Sequence, residues 1–211
     1  TTPLCVGAPY TLQVNPATNN GGTLTYQWKK AGLIIPNATN ASLALTNVQI
    51  GDAAVYTVAV TNSCGTVISP DYTITVTQTP IITSDPASQS LCAGATATFT
   101  ANSNGATSVR WQRNGVDVGN TTSTLSLSNI NAASAGSYTF LATNTCGTTT
   151  SAAATLAVNN KPVINSLTTT SPVCPGATAT ITSGVNPNGD NSLTYSWTLN
   201  GSVITGANTG I

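Results

Sequence analysis

Apolar and polar residues alternate along most of this chain in short runs that end at Asn, Gly or Pro. Alternation with period two marks a strand with one buried and one wet face, and the breaks mark turns. The clearest run is Tyr56-Thr57-Val58-Ala59-Val60-Thr61, closed by Asn62-Ser63-Cys64-Gly65. It returns 82 positions later as Tyr138-Thr139-Phe140-Leu141-Ala142-Thr143, closed by Asn144-Thr145-Cys146-Gly147. Recurrence at such a period predicts tandem copies of one unit. Three copies can be overlaid, opening on Pro3-Leu4-Cys5-Val6-Gly7, Ser90-Leu91-Cys92-Ala93-Gly94 and Pro172-Val173-Cys174-Pro175-Gly176. The Gly after each Cys suits a turn.

Alternating strands are predicted next at Tyr10–Val14, Thr96–Ala101 and Thr178–Ser183, then strands that end on Trp28, Trp111 and Trp197. Ala31-Gly32, Asn114-Gly115 and Asn200-Gly201 predict short hairpins. Later strands are predicted at Ser42–Leu45 and Tyr72–Val76, and again at Thr124–Leu127 and Ala154–Val158. The short linkers Thr77–Pro80 and Asn159–Pro162 divide the chain into repeats 1–78, 79–159 and 160–211. The third stops before its later strands, and half a layered core cannot cover its inner face. It is expected to be incomplete, or completed by residues outside this sequence.

Composition sharpens this picture. Only 5% of the 211 residues are charged, five basic and five acidic, and the chain has no His and no Met. Helices draw on Glu, Lys, Leu and Met, whereas abundant Thr, Val, Ser and Asn favour strands and turns. The expectation is all-β. Disorder is disfavoured by the 40% hydrophobic content and the regular alternation. Lys29, Lys30, Arg110, Arg113 and Lys161 are too scattered to hold a phosphate backbone or an anionic membrane, so no nucleic-acid partner is expected. No apolar run approaches the roughly 20 residues that span a bilayer, so no membrane insertion is expected either.

With the Trp, the Tyr and the Asn-x-Cys-Gly turn in place, the first two copies resemble bacterial immunoglobulin-like repeats of the intermediate-set pattern. They are similar to the tandem repeats of large secreted surface proteins and adhesins of Bacteroidota. The resemblance implies Greek-key β-sandwiches in tandem, with Trp28, Tyr56, Trp111, Tyr138 and Trp197 as core signature residues. The family's usual intersheet disulfide positions hold Val14 with Val58 and Ala101 with Phe140 here. In that fold the turn before the second strand and the turn holding Asn-x-Cys-Gly lie at opposite poles. A disulfide needs Cα atoms within about 7 Å, so Cys5–Cys64 and Cys92–Cys146 inside one sandwich are disfavoured. Head-to-tail packing brings opposite poles of neighbours together, and Cys5 is expected to pair with Cys146. Cys64, Cys92 and Cys174 would then pair with repeats outside this sequence. Free buried cysteines and an intradomain bond remain the alternatives.

Candidate chemistry is sparse. Asp52, Asp71, Asp85, Asp117 and Asp190 are the only carboxyl side chains and are dispersed along the chain, whereas acid–base catalysis needs paired groups. Ser and Thr lack an activating base. No His completes a Cys zinc shell, and no calcium or phosphate loop occurs. No cofactor, metal or catalytic residue is expected. Asp52 is expected to brace the corner before Tyr56. Asn37, Asn40, Asn120 and Asn200 head Asn-x-Ser/Thr triplets, which chance produces in so Asn- and Thr-rich a chain. The expected role is a structural or adhesive stalk of an extracellular repeat protein, whose partners are neighbouring repeats. Glycan or surface-protein binding through Asn15–Gly22 and Gly184–Ser192 is one alternative. A filament completed by strands of another copy is the other.

Overall fold

The structure is a computed structural model that describes residues 3–15, 23–169, 172–187 and 193–207. The first repeat contributes β1 (Leu4–Cys5), β2 (Tyr10–Gln13), β3 (Thr25–Lys30), β4 (Leu33–Ile34), β5 (Ser42–Leu45), β6 (Ala54–Asn62), β7 (Gly65–Ile68), β8 (Tyr72–Ile74) and β9 (Val76–Thr77). The second contributes β10 (Ile81–Ser84), β11 (Gln89–Cys92), β12 (Ala97–Thr100), β13 (Asn102–Asn104), β14 (Ser108–Arg113), β15 (Val116–Asp117), β16 (Thr124–Leu127), β17 (Gly136–Asn144), β18 (Gly147–Thr150) and β19 (Ala154–Asn159). In the third, β20 (Val163–Thr169) pairs with β21 (Ile181–Asn186), and β22 (Thr198–Leu199) with β23 (Ser202–Val203).

Two layers recur. In the first repeat β2 pairs with β5, and the facing sheet runs β4-β3-β6-β7 with β8 also on β6. In the second, β12 pairs with β16, and the facing sheet runs β11-β19-β17-β14-β15 with β18 on β17. Period-two alternation points one side chain in two inward. Leu12, Trp28, Tyr56, Val58 and Ile74 form the first core. Trp111, Phe99, Tyr138, Phe140 and Leu156 are buried in the second repeat. Phe99 stacks on Tyr138 with ring centroids 4.7 Å apart, a geometry that adds to area burial. The Trp28 and Trp111 indole N–H groups donate to the carbonyls of Asn40 and Thr122, so neither buried ring carries an unmet donor.

The corners before β6 and β17 use one device with different side chains. The Tyr56 hydroxyl donates to the Asp52 carbonyl at 3.1 Å, and Tyr138 to the Ser134 carbonyl at 2.6 Å. Asp52 also accepts from the Gln49 N–H and from Lys30 Nζ, at 2.9 and 2.8 Å. The Lys30 hydrogen bond, helped by the Gln49 amide, holds the Asp52 carboxyl below its ordinary value, and the same bond pushes Lys30 up. In the second repeat Ser134 takes the Asp52 position and accepts from the Asn131 N–H.

Cys5 and Cys92 lie on strands rather than in the turn itself, whereas Cys174 is not in a strand. β1 runs parallel to β9 with Cys5 opposite Thr77, and β11 runs parallel to β19 with Cys92 opposite Asn159. The turn follows immediately, with Gly7 and Gly94 both at φ 88°, a conformation that Gly adopts at no steric cost.

By chain contacts the molecule forms two compact units. One comprises 1–84, 101–110 and 140–151, and the other 85–100, 111–139 and 152–211. The first unit thus holds the whole first repeat together with the Cys146 hairpin.

The third repeat departs from expectation. Its second strand begins at Ile181, not Thr178, and none of the described residues 193–197 is in a strand. Trp197 is half-buried, unlike Trp28 and Trp111. Among the described residues this repeat has no strands of the β16 or β17 kind.

Candidate functional site

A continuous set of specific contacts surrounds the linker Thr77-Gln78-Thr79-Pro80. All of its residues and partners lie inside the first compact unit. Parallel pairing sets up one side. Leu4 N–H donates to the Thr75 carbonyl and Val6 N–H to the Thr77 carbonyl, at 2.8 and 2.9 Å. These bonds fix Cys5 beside the point where the linker leaves β9.

The β17–β18 hairpin supplies the other side. Asn144 and Gly147 are register partners, and the Asn144 carboxamide oxygen accepts from the Cys146 N–H at 2.8 Å. This Asx turn presents Cys146. Cys5 and Cys146 form a disulfide with Cα atoms 5.4 Å apart across 141 positions of sequence, inside the usual range for such bonds.

Four consecutive linker residues are then contacted one by one. Cys146 Sγ sits 3.7 Å from the Thr77 carbonyl oxygen; a disulfide sulfur has no proton to donate, so this is packing. Asn144 Nδ2 donates to the Gln78 carbonyl at 2.7 Å and to the Gly105 carbonyl at 2.9 Å. Gly147, at φ 140°, leaves room for Thr79: a Cβ there would stand 3.2 Å from the Thr79 methyl. Thr149 Oγ1 donates to the Pro80 carbonyl at 2.6 Å, and Pro80 is fully buried. Asn144 itself is 9% exposed, and its carboxamide satisfies one donor and two acceptors at once.

The other cysteines, Cys64, Cys92 and Cys174, are free and exposed. They do not fit the alternative of buried thiols. Cys64 occupies the same Asx turn as Cys146, its N–H donating to the Asn62 carboxamide oxygen at 2.8 Å. Among the core signature residues, Trp28, Tyr56, Trp111 and Tyr138 are buried at 4%, 1%, 0% and 1% exposure. Among the described residues there is no group of three or more His, Cys, Asp or Glu able to hold a metal, and no helix long and apolar enough to cross a membrane. Asp190, most of Asn15–Gly22 and the end of Gly184–Ser192 lie outside the described residues. Sequence reading missed Asn144 and Thr149 as linker clamps; the repeated Asn-x-Cys-Gly was the one available signal.

Residues 80–158 match the family described as the immunoglobulin I-set domain. The fold is that of tandem immunoglobulin-like sandwiches. Among solved structures the chain is similar to the I-band fragment I67-I69 of titin, at 19% identity and a TM-score of 0.63 over 79% of this chain and 65% of that one. A variant of the same three-domain titin fragment matches at 19% identity and a TM-score of 0.62, over 77% and 64%. The chain therefore spans about two thirds of the length of the titin fragment it resembles. No curated protein sequence matches it. Within the immunoglobulin-like pattern, parallel β1–β9 and β11–β19 are the edges that carry Cys5 and Cys92.

Proposed function

We propose that this chain is a structural and adhesive segment of an extracellular multi-repeat surface protein, of the kind its resemblance to bacterial surface repeats implies. Its repeats, 1–78, 79–159 and 160–211, act as beads of a semi-rigid stalk rather than as catalysts. The observation that carries this reading is the junction: Cys5–Cys146 and a linker whose carbonyls are taken by Asn144 and Thr149. A linker contacted at four successive residues behaves as a fixed joint, unlike a Gly/Ser tether. Disulfides persist in oxidising compartments, which supports a location outside the cell. Low charge and many hydroxyls and amides suit a hydrated, passive surface. Cys92 and Cys174 stand ready to repeat the Cys5 role toward further repeats, and Cys64 the Cys146 role.

Non-reducing peptide mapping combined with small-angle scattering tests this. A Cys5–Cys146 peptide is expected, with a distance distribution that is narrow when oxidised and broad after reduction. A broad distribution already in the oxidised state would remove the fixed joint and with it the stalk.

A further inference from the structure

The two complete sandwiches treat one sheet edge differently. Among the described residues β5 pairs only with β2, and β16 only with β12. The chain between β4 and β5 is tied to β3 instead, the Trp28 N–H donating to the Ala38 carbonyl at 3.1 Å. In the second repeat the Trp111 N–H donates likewise to the Asn120 carbonyl. The Val14 N–H donates to the Ala41 carbonyl at 3.1 Å, and Leu12 is the register partner of Leu43. Antiparallel bonds alternate along a strand, so the backbone groups of Ser42 and Ala44 point away from β2.

The second repeat closes this edge. Thr122 Oγ1 and Asn120 Nδ2 donate to the Thr124 carbonyl at 2.7 and 3.2 Å, and Leu125 is buried. The edge strand of its facing sheet, β15, carries a charge, Asp117. The first repeat has neither device. At the 82-residue offset Ser42 stands for Thr124, and Ala38 and Asn40 stand for Asn120 and Thr122. Ala38 has no side-chain donor, and Asn40 gives its backbone carbonyl to the Trp28 indole. Leu43 is only half-buried. On β4, Ile34 stands where β15 has Asp117, and Leu33 and Ile34 are 75% and 62% exposed. No residue from Ala31 to Gly51 is charged. Charges and interrupted ladders are what keep edge strands from pairing with other chains.

We propose that β5 is the contact edge for the β5 of a second copy, paired antiparallel about a twofold axis at Leu43. The phase of the strand fits that symmetry. Ser42 of one copy lies opposite Ala44 of the other, each such pair exchanging two backbone hydrogen bonds, and Leu43 meets Leu43. The same rotation brings the two β4 edges together, which covers Leu33 and Ile34. Strands of four residues bury less than the roughly 1,200 Å² of a stable interface, so the pair is weak and reversible. It gives the stalk a lateral partner and does not depend on the Cys5–Cys146 junction.

The test uses the full chain with Cys64→Ser, Cys92→Ser and Cys174→Ser, which keeps Cys5–Cys146 and prevents crosslinks between copies. Hydrogen exchange at the Ser42 and Ala44 amides is compared at about 20 μM and about 2 mM protein, and pairing is expected to slow both about threefold at the higher concentration. Leu43, whose N–H faces β2, is expected to stay unchanged. Two variants identify the edge. Ala38→Asn with Asn40→Thr transfers the cap of the second repeat, and Ala44→Pro removes an outward N–H where an edge strand tolerates proline. Both are expected to abolish the concentration dependence while the amides of β3 stay protected. Exchange independent of concentration in the parent, or a dependence that survives in either variant, would overturn the proposal. Loss of β3 protection in Ala44→Pro would also overturn it, because the Ala44 N–H would then belong to the β2 ladder. Any of these failures leaves the scattering test of the junction as it was.

Discussion

Replacing Cys5 and Cys146 together by Ser removes the disulfide without leaving a new thiol. The magnitude follows from the chain that the bond closes. When both sandwiches unfold, the closed segment has the full 141-residue separation, and the loop-closure relation gives about 5 kcal/mol. When the second sandwich unfolds alone, β1 still holds Cys5 opposite Thr77, so the effective loop runs from Thr77 to Cys146. Those residues are 69 positions apart, which lowers the figure only to about 4.4 kcal/mol. Total stability of a small sandwich is of order 5 kcal/mol, so the second sandwich should become marginal. With a urea slope of about 1 kcal/mol per molar for a domain of this size, the transition reporting on Trp111 should fall by about 4 M. The assay is equilibrium urea unfolding of oxidised parent and double variant, with indole fluorescence as the signal. A loss under about 1 kcal/mol would refute the reasoning. It would mean that Asn144 and Thr149 confine the linker so well that the covalent bond adds no restriction.

Two further perturbations probe neighbouring contacts. Asn144→Ala leaves the Gln78 and Gly105 carbonyls without their donor and removes the Asx turn under Cys146. Unfolding should become easier by about 2 kcal/mol, with exchange at the Gln78 and Thr79 amides accelerated while the amides of β3 stay protected. The Asp52–Lys30 pair supplies a pH dependence. Because the folded carboxyl lies below its unfolded value, its contribution is present above about pH 4 and is lost as pH falls through the lower folded value. Lys30 is raised, so its share is present below about pH 10 and is lost as pH rises past the folded value. The pair is partly exposed, so the effect stays within about 1 kcal/mol. Urea midpoints between pH 2 and 7 should show an acid limb that Asp52→Asn flattens; an unchanged limb would remove the pair as its cause.

Much of the scaffold was legible because period-two alternation is a direct image of a half-buried strand. Ser42–Leu45 and Thr124–Leu127 are strands with the predicted bounds. The short parallel strand Leu4–Cys5 was not legible, since two residues carry no period and parallel pairing is decided by a partner some 70 positions away. The third repeat slipped for another reason. β21 pairs with β20 across a bulge between Ile164 and Ser166, and among the described residues no strand of the β16 kind pairs with β21 to fix its register. The disulfide partners became visible only once a fold assigned Cys5 and Cys146 to poles. The clamp on the linker stayed hidden because its acceptors are backbone carbonyls, which every residue has.

The Cys5–Cys146 bond also decides where tension can travel. A pull on the two ends of the chain enters at Cys5, crosses the sulfur bridge and leaves through Cys146. Everything between them hangs outside that covalent path, including the first sandwich and all of the second up to its last hairpin. At about 3.4 Å per extended residue, the bridge withholds roughly 480 Å of contour over its 141 positions. While oxidised, the chain can lengthen only through the residues outside the bridge. Reduction of one bond would put both sandwiches under load at once and turn a short tether into a long one.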